Sequence, residues 1–262
     1  DRPHSIQHIS AKLEGAELTE KQIREIVVDV VENHLSEVEM TYFVAGCYST
    51  GLTMKETAAL TKAIVETGTT LDLGKKIILD KHCIGGVPNN RTTPIVVPIL
   101  AALGYTMPKT SSRSITSPAG TADTMEVMAP VSLSLEKIKE VLAKTNACMV
   151  WGGGNMNMAA ADDKLIRIRH PLSIDPEGML LASIMAKKKA VGATHCLIDI
   201  PYGYMAKFPS KKAAMSLSNK FVQLGKMLGM KVRVVLTDGS QPIGNGIGPA
   251  LEAHDIINIL KG

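Results

Sequence analysis

Apolar and polar positions follow two different rhythms along this chain. Up to about residue 74 the period is helical: Ile23, Ile26, Val27, Val30, Val31 and Leu35 line one stripe, with polar residues between them. Helix starts are marked as well. Thr19, Ser36 and Thr53 are followed three residues later by Gln22, Glu39 and Glu56, the spacing at which a hydroxyl and a carboxylate or amide satisfy each other's backbone donors. Gly51 and Gly68 stand where C-terminal caps belong. The pattern predicts a bundle of helices.

From Lys75 the rhythm changes to short β-branched runs at residues 77–79, 106–110, 147–151, 195–200 and 232–237, separated by helical stretches. Strands spaced this way need crossover helices, hence a parallel sheet. A helix-rich interval at about 160–191 interrupts the alternation and is expected to pack back on the first helices. The predicted class is α/β: a small all-helical lobe of residues 1–74 and 160–191 with a larger parallel-sheet lobe of residues 75–159 and 192–262.

Composition narrows the possible functions. With 45% apolar residues and a net charge of +4 from 29 basic and 25 acidic side chains, the chain is neither disordered nor strongly basic. Only 3% of residues are aromatic, so few rings are available to stack bases, and a nucleic-acid partner is not expected. The longest apolar stretch, residues 94–104, falls short of the ~20 residues that span a bilayer, so no membrane association is expected. Cys47, Cys83, Cys148 and Cys196 stand far apart without a Cys-x-x-Cys pair, which fits reduced thiols and a cytoplasmic location. The six histidines other than His82 have no carboxylate or cysteine at metal-ligand spacing, and His195 and Cys196, adjacent in a strand, cannot easily chelate one metal, so no metal site is predicted. The first residue is Asp1 and not Met, which suggests a piece of a longer chain.

Ligands of parallel sheets bind beyond the carboxyl ends of the strands. After the first strand comes Lys81-His82-Cys83-Ile84-Gly85-Gly86-Val87, leading to a helix near Thr92. Two glycines admit an anion to backbone amides, a helix start adds a favourable dipole, and Lys81 adds a full charge. A plain strand-to-helix turn would carry the same glycines. After the second strand, Thr110-Ser111-Ser112-Arg113-Ser114-Ile115-Thr116-Ser117 supplies several hydroxyls and an arginine. A helix cap needs one hydroxyl, whereas an oxyanion can use several, and a guanidinium is shaped to clamp phosphate. Two such loops at adjacent strand ends suggest a phosphate or phosphosugar site.

Lys81-His82-x-x-Gly85-Gly86-Val87, Ser111-x-Arg113 with Gly120-Thr121-x-Asp123-x-x-Glu126, Ala159-x-Ala161-Asp162 and Thr237-Asp238-x-x-Gln241-Pro242 resemble, in order and spacing, the motifs of the pyrimidine nucleoside phosphorylase family. The variants Cys83 to Pro88, Ser112 to Ser117 and Leu172 to Pro176 resemble its archaeal AMP phosphorylase branch. The resemblance implies a nucleoside phosphorylase/phosphoribosyltransferase-like fold, cleavage of an N-glycosidic bond by inorganic phosphate as co-substrate, no cofactor, closure of the lobes during catalysis, and a homodimer, with a higher oligomer open to the full-length protein. In the AMP branch the products would be adenine and ribose 1,5-bisphosphate.

By position, the resemblance implies phosphate ligands at Lys81, Cys83, Thr92, Ser111 and Thr121, and nucleotide contacts at Gly86, Ser112, Arg113, Ser114, Ile115, Thr116, Ser117 and Thr121. Cys83 stands in place of a serine, and a thiol is a weak donor. Arg169, Ser183 and Lys187 align with the base-recognising residues, and Lys207 with a ligand lysine of the AMP branch. Without the resemblance, the run Lys187-Lys188-Lys189 reads as a solvated helix face. Asp175 is the implied proton donor to the departing base, with His82 as the competing acid; locally, Asp175 also reads as a helix N-cap ahead of Pro176. Three alternatives stay open. One is a thymidine or uridine phosphorylase, against which stands Asn89-Asn90 in place of Gly-Asp. Another is an anthranilate phosphoribosyltransferase, from which the first loop departs. The last is a non-catalytic nucleotide-binding or assembly fragment.

Overall fold

A computed structural model describes residues 3–84, 91–114, 119–153 and 156–262, with Leu172 described by its backbone alone. In chain order the elements are α1 (Ser5–Leu13), α2 (Glu20–Val31), α3 (Glu37–Thr50), α4 (Met54–Glu66), β1 (Leu79–Cys83), α5 (Thr92–Ala102), β2 (Met107–Ser111), α6 (Thr121–Glu126), α7 (Leu135–Thr145), β3 (Ala147–Trp151), α8 (Ala160–Arg169), α9 (Glu177–Ala190), β4 (His195–Tyr202), α10 (Lys211–Met227), β5 (Lys231–Asp238) and α11 (Pro249–Lys261). They form two compact units, Asp1–Thr70 with Asn157–Ala190 and Leu71–Met156 with Val191–Gly262.

The first unit is helical. All three reciprocal capping boxes form: Thr19 with Gln22, Ser36 with Glu39 and Thr53 with Glu56. The stripe on α2 is buried, and Ile23, Ile26, Val27 and Val30 join Phe43, Val44, Leu60, Ile64, Leu165 and Met179 in one core. Burying a side chain of this size stabilises by roughly 1.5–3 kcal/mol, so the core holds α8 and α9 to the earlier helices. Glu56 does more than cap. Its Oε2 accepts from the Thr53 amide at 2.8 Å, while Oε1 accepts from the Leu18 amide at 2.8 Å and from Lys12 Nζ at 2.8 Å. One buried carboxylate therefore binds α1, the turn before α2 and the start of α4 together.

The second unit is a parallel α/β unit. β1, β4 and β5 form one parallel sheet in the order β1-β4-β5, and β2 pairs with β3 in parallel. The two sheets meet at a parallel bridge between Ile78 and Thr106, where the Leu79 amide donates to the Thr106 carbonyl at 2.9 Å. Met107, Ile138, Val150, Ile198, Ile200, Phe221 and Leu224 are buried in this unit.

The first strand lies further along the chain than its apolar run predicts. β1 covers Leu79–Cys83 and not residues 77–79. Its pairing with β4 runs from Leu79 opposite His195 to Cys83 opposite Asp199. Lys81, His82 and Cys83 are therefore strand residues held by the sheet, not loop residues. The other four strands fall within a residue or two of the predicted runs. Among the described residues, no helix is long and apolar enough to cross a membrane, and no cluster of His, Cys, Asp and Glu could hold a metal ion.

Candidate functional site

Two clusters of polar side chains stand out, one in each unit. In the α/β unit, the bridge at Ile78 and Thr106 sets the start of β2 beside the start of β1, and Cys83 lies in the field of both Lys81 and Lys109. Strand alternation puts Lys81 and Cys83 on one face of β1 and His82 on the other. Both lysines are buried. Lys81 Nζ lies 3.6 Å from Asp199 Oδ2 and 3.5 Å from Thr93 Oγ1, while Lys109 Nζ donates to the Thr110 carbonyl and, at 3.3 Å, to Ser111 Oγ. Asp199 Oδ1 accepts from Thr237 Oγ1 at 2.7 Å. The cluster thus joins the ends of four strands.

Two threonine hydroxyls of this unit are left unsatisfied. Thr92 Oγ1 and Thr110 Oγ1 are buried with no hydrogen-bond partner among the described residues. A buried unsatisfied hydroxyl costs about 1–3 kcal/mol, so such groups call for a ligand. An oxyanion beside two buried lysines would accept from them. Burial pushes the Cys83 thiol up to about 12, and Asp199 pushes in the same direction against the opposing field of Lys81. Cys83 therefore stays a neutral S–H and adds no negative charge to an anion site.

Arg91, just before Thr92, is buried as well. Its Nη1 donates to the Ile243 carbonyl, and its Nη2 lies 3.3 Å from Asp255 Oδ2. Asp255 accepts the Asn245 and Gly246 amides at 3.0 and 2.9 Å. These backbone bonds, Gly246's foremost, together with Arg91, hold its carboxyl below the usual range despite partial burial. The loop after β5 is thereby fastened to the start of α5.

The loop after β2 is ordered by carboxylates. Arg113 makes a bidentate pair with Glu126 at 2.6 and 2.9 Å, reaches Asp123 at 3.0 Å, and stacks 4.8 Å from the centroid of the Trp151 ring. The guanidinium expected to clamp phosphate is therefore already engaged by two acids, and it shapes the loop. Burial works against the charge of Asp123, but the Gly120 and Ser114 amides at 3.0 and 2.7 Å and Arg113 outweigh it and hold the carboxyl below its usual value. Arg113 does the same for Glu126. Gly120 cannot be replaced here, because a Cβ would fall 2.4 Å from the Arg113 carbonyl carbon and 2.6 Å from Ser112 O. Thr121 opens α6 directly after it.

In the helical unit, Ser183 and Lys187 sit one turn apart on α9 and face Asp162 on α8. Ser183 Oγ donates to Asp162 Oδ2 at 2.7 Å, and Lys187 Nζ donates to the same oxygen at 2.7 Å. Lys188 is buried, so the lysine run is not a solvated face. Burial raises the neighbouring Asp163 carboxyl, which Lys187 partly counteracts and Asp162 reinforces. At the other end of α8, Arg169 Nη1 donates to Asp175 Oδ1 at 3.0 Å. The helix after Asp175 starts one residue later than the sequence predicts: Pro176 O accepts the Leu180 amide at 2.9 Å, so Pro176 occupies the capping position and Asp175 stands just outside it.

The structure thus brings Lys81, Cys83 and Ser111 together in one unit, and Arg169 with Asp175 and Ser183 with Lys187 in the other. Lys207 lies exposed on the turn after β4, and Gly86, Ile115, Thr116 and Ser117 lie outside the described residues. Lys109, Asp199, Arg91 and Asp162 take part in these clusters although residue-type reasoning passed over their roles. The available signal was a lone charged residue inside an apolar strand, as with Asp199 in Leu197-Ile198-Asp199-Ile200.

Comparison with known proteins gives the site a context. Residues 6–68 match the family model described as the helical bundle domain of the glycosyl transferase family, and residues 75–261 match its a/b domain. The curated protein named "Putative thymidine phosphorylase 1" from Acidovorax sp. (strain JS42) is 48% identical over 98% of this chain and 50% of its own length. Another named as a thymidine phosphorylase in the same way, from Hahella chejuensis (strain KCTC 2396), is 51% identical over 98% of this chain and 51% of its own. The chain thus spans about half the length of the curated relatives it matches. A crystal structure of anthranilate phosphoribosyltransferase from Thermus thermophilus superposes with a TM-score of 0.71 at 18% identity, covering 97% of this chain and 82% of that one. At that identity the likeness speaks for the fold.

Proposed function

The chain belongs to the glycosyl transferase family with helical-bundle and a/b domains, and on that premise we propose that it carries the machinery for phosphorolysis of an N-glycosidic bond in a nucleoside or nucleoside 5′-monophosphate. One observation carries this reading: two buried lysines, Lys81 and Lys109, stand on neighbouring strands, and Thr92, which opens the helix after β1, keeps a buried hydroxyl with no partner among the described residues. That set suits a tetrahedral oxyanion better than a sugar or a neutral base, because it offers two ammonium groups, one of them partly offset by Asp199, and several donors.

In the proposed reaction, a phosphate oxygen attacks the anomeric carbon as the carbon–nitrogen bond breaks, and the bonding electron pair leaves on the base nitrogen. Lys81, Lys109, Thr92 and Ser111 hold the phosphate, with Thr121 at the start of α6. Arg169, Ser183 and Lys187 hold the base. Asp175 or His82 delivers the proton that neutralises the leaving base. Holding the nucleophile in line and stabilising the developing charge supplies most of the acceleration.

Two substrate readings follow. The loop motifs favour AMP, giving adenine and ribose 1,5-bisphosphate, and the names of the relatives favour thymidine or another pyrimidine nucleoside. Phosphorolysis of AMP, CMP, UMP, thymidine and uridine measured side by side distinguishes them, because free base must appear only when phosphate is present. Asp175→Asn is expected to abolish turnover of the preferred substrate while the protein still folds; near-normal turnover in that variant would remove Asp175 as the proton donor.

A further inference from the structure

We infer that Arg91 is a positioning residue of the phosphate site: its buried guanidinium ties the loop after β5 to the first turn of α5, and so fixes where Thr92 and Thr93 present their hydroxyls. The inference rests on the phosphorylase reading above. It also gives a role to the motif Thr237-Asp238-x-x-Gln241-Pro242, none of whose residues has been placed on a ligand.

Arg91 is 1% exposed and stands directly before Thr92, the first residue of α5. Its side chain does not cap its own helix. It turns instead to residues far along the chain: Nη1 donates to the carbonyl of Ile243, next to Pro242 of the motif, and Nη2 lies 3.3 Å from Asp255 Oδ2 on α11. The same Asp255 oxygen accepts the Asn245 and Gly246 amides at 3.0 and 2.9 Å. A Cβ on Gly244 would fall 2.5 Å from it, so the loop wraps the carboxylate at a distance that glycine permits. Arg91 is the charged link from that assembly to α5.

A tie that serves stability alone has its polar groups filled, as both oxygens of Glu56 are. Arg91 is different. Its Nε and Nη2 have no hydrogen-bond partner among the described residues, so this buried charge returns little stability for its desolvation. What it positions accounts for it. Thr92 and Thr93 follow in the first turn of α5; Thr92 keeps a buried hydroxyl without a partner among the described residues, and Thr93 Oγ1 lies 3.5 Å from Lys81 Nζ. Moving that turn by about 1 Å takes its donors off an oxyanion, a misplacement that costs up to about 100-fold. Since a carbonyl and a carboxylate face the guanidinium, the place calls for a cation.

The test compares the native protein with Arg91→Ala in two measurements. One is binding of inorganic phosphate by calorimetry; the other is phosphorolysis of the preferred substrate of the panel above, with phosphate and nucleoside varied in turn. Arg91→Ala is expected to weaken phosphate by about 10- to 100-fold in both, while the KM of the nucleoside moves less than about 3-fold. Arg91→Lys should fall between the two proteins, because an ammonium cannot fork to both acceptors. Asp255→Asn should show a loss of the same selective kind. Guanidinium ion added to Arg91→Ala, at millimolar concentrations far below the molar range that unfolds proteins, should restore phosphate binding. Urea, alike in shape but uncharged, should not, and guanidinium should fail when Asp255→Asn is added to Arg91→Ala.

Phosphate affinity in Arg91→Ala within about 2-fold of the native protein overturns the inference and leaves the phosphorylase reading in place. So does a variant that loses phosphate and nucleoside in parallel, since that marks Arg91 as merely structural. Rescue by urea as good as by guanidinium also overturns it, because the place would then need volume and not charge. If Arg91→Ala does not fold, Arg91→Lys and Asp255→Asn decide by the same split between phosphate and nucleoside. Phosphate binding without turnover removes the phosphorylase reading, and the inference then stands or falls on the calorimetric ratio. A native protein that binds no phosphate removes both.

Discussion

The two units each bury a lysine beside a carboxylate, and the two pairs are built differently. In the helical unit Lys12 lies 2.8 Å from Glu56, and both Glu56 oxygens are filled by two amides and the ammonium. In the α/β unit Lys81 lies 3.6 Å from Asp199 and 3.5 Å from Thr93, whose neighbour Thr92 has a buried hydroxyl with no partner among the described residues. Burying charge is costly in both places, and the cost is recovered only where the groups are fully satisfied. The closed pair holds helices together, whereas the looser one links β1 to β4 and is the one that we propose a ligand completes.

That contrast can be broken by substitution. The largest expected effect is on the closed pair: Glu56→Ala leaves Lys12 and two amides without their acceptor, and should lower the unfolding free energy by about 3–5 kcal/mol in urea titrations. Lys81→Gln should cost less than half as much stability, because Asp199 keeps its bond from Thr237, yet should lower kcat/KM by about 10²–10³-fold and abolish thermal stabilisation by added phosphate. Equal stability losses in the two variants would erase the distinction. Thr92→Val is expected to raise the melting temperature slightly without phosphate, since it removes an unsatisfied hydroxyl, and to weaken phosphate binding by about 1–2 kcal/mol.

The smallest effect concerns pH. Asp123 and Glu126 are held below their usual values in the folded protein, so what they contribute is complete above about pH 5 and is lost as acid protonates the folded state. Melting curves of the native protein and of Glu126→Gln should differ near neutrality and converge as the pH falls below the usual glutamate range.

Much of this architecture is legible along the chain, and what is not has a common cause. The capping boxes at Thr19, Ser36 and Thr53 are local, spanning three residues, and form as their spacing requires. β1 is misplaced by its apolar run, because Asp80-Lys81-His82-Cys83 is polar by type and becomes strand only through pairing with β4, far along the chain. The partner of Lys187 is Asp162, 25 residues away on another helix, so its run of lysines looks solvated when read alone. Arg113 is the opposite case. Its partners Asp123 and Glu126 lie in the same motif, and counting them beside the arginine would have shown its charge already matched.

The stack of Arg113 on Trp151 has a practical consequence. Trp151 is the chain's single tryptophan, and its indole lies 4.8 Å from the cation that ties the β2 loop to α6. The protein therefore carries a built-in optical probe, whose emission should report on that loop alone, with no other indole to dilute the signal and no label to attach.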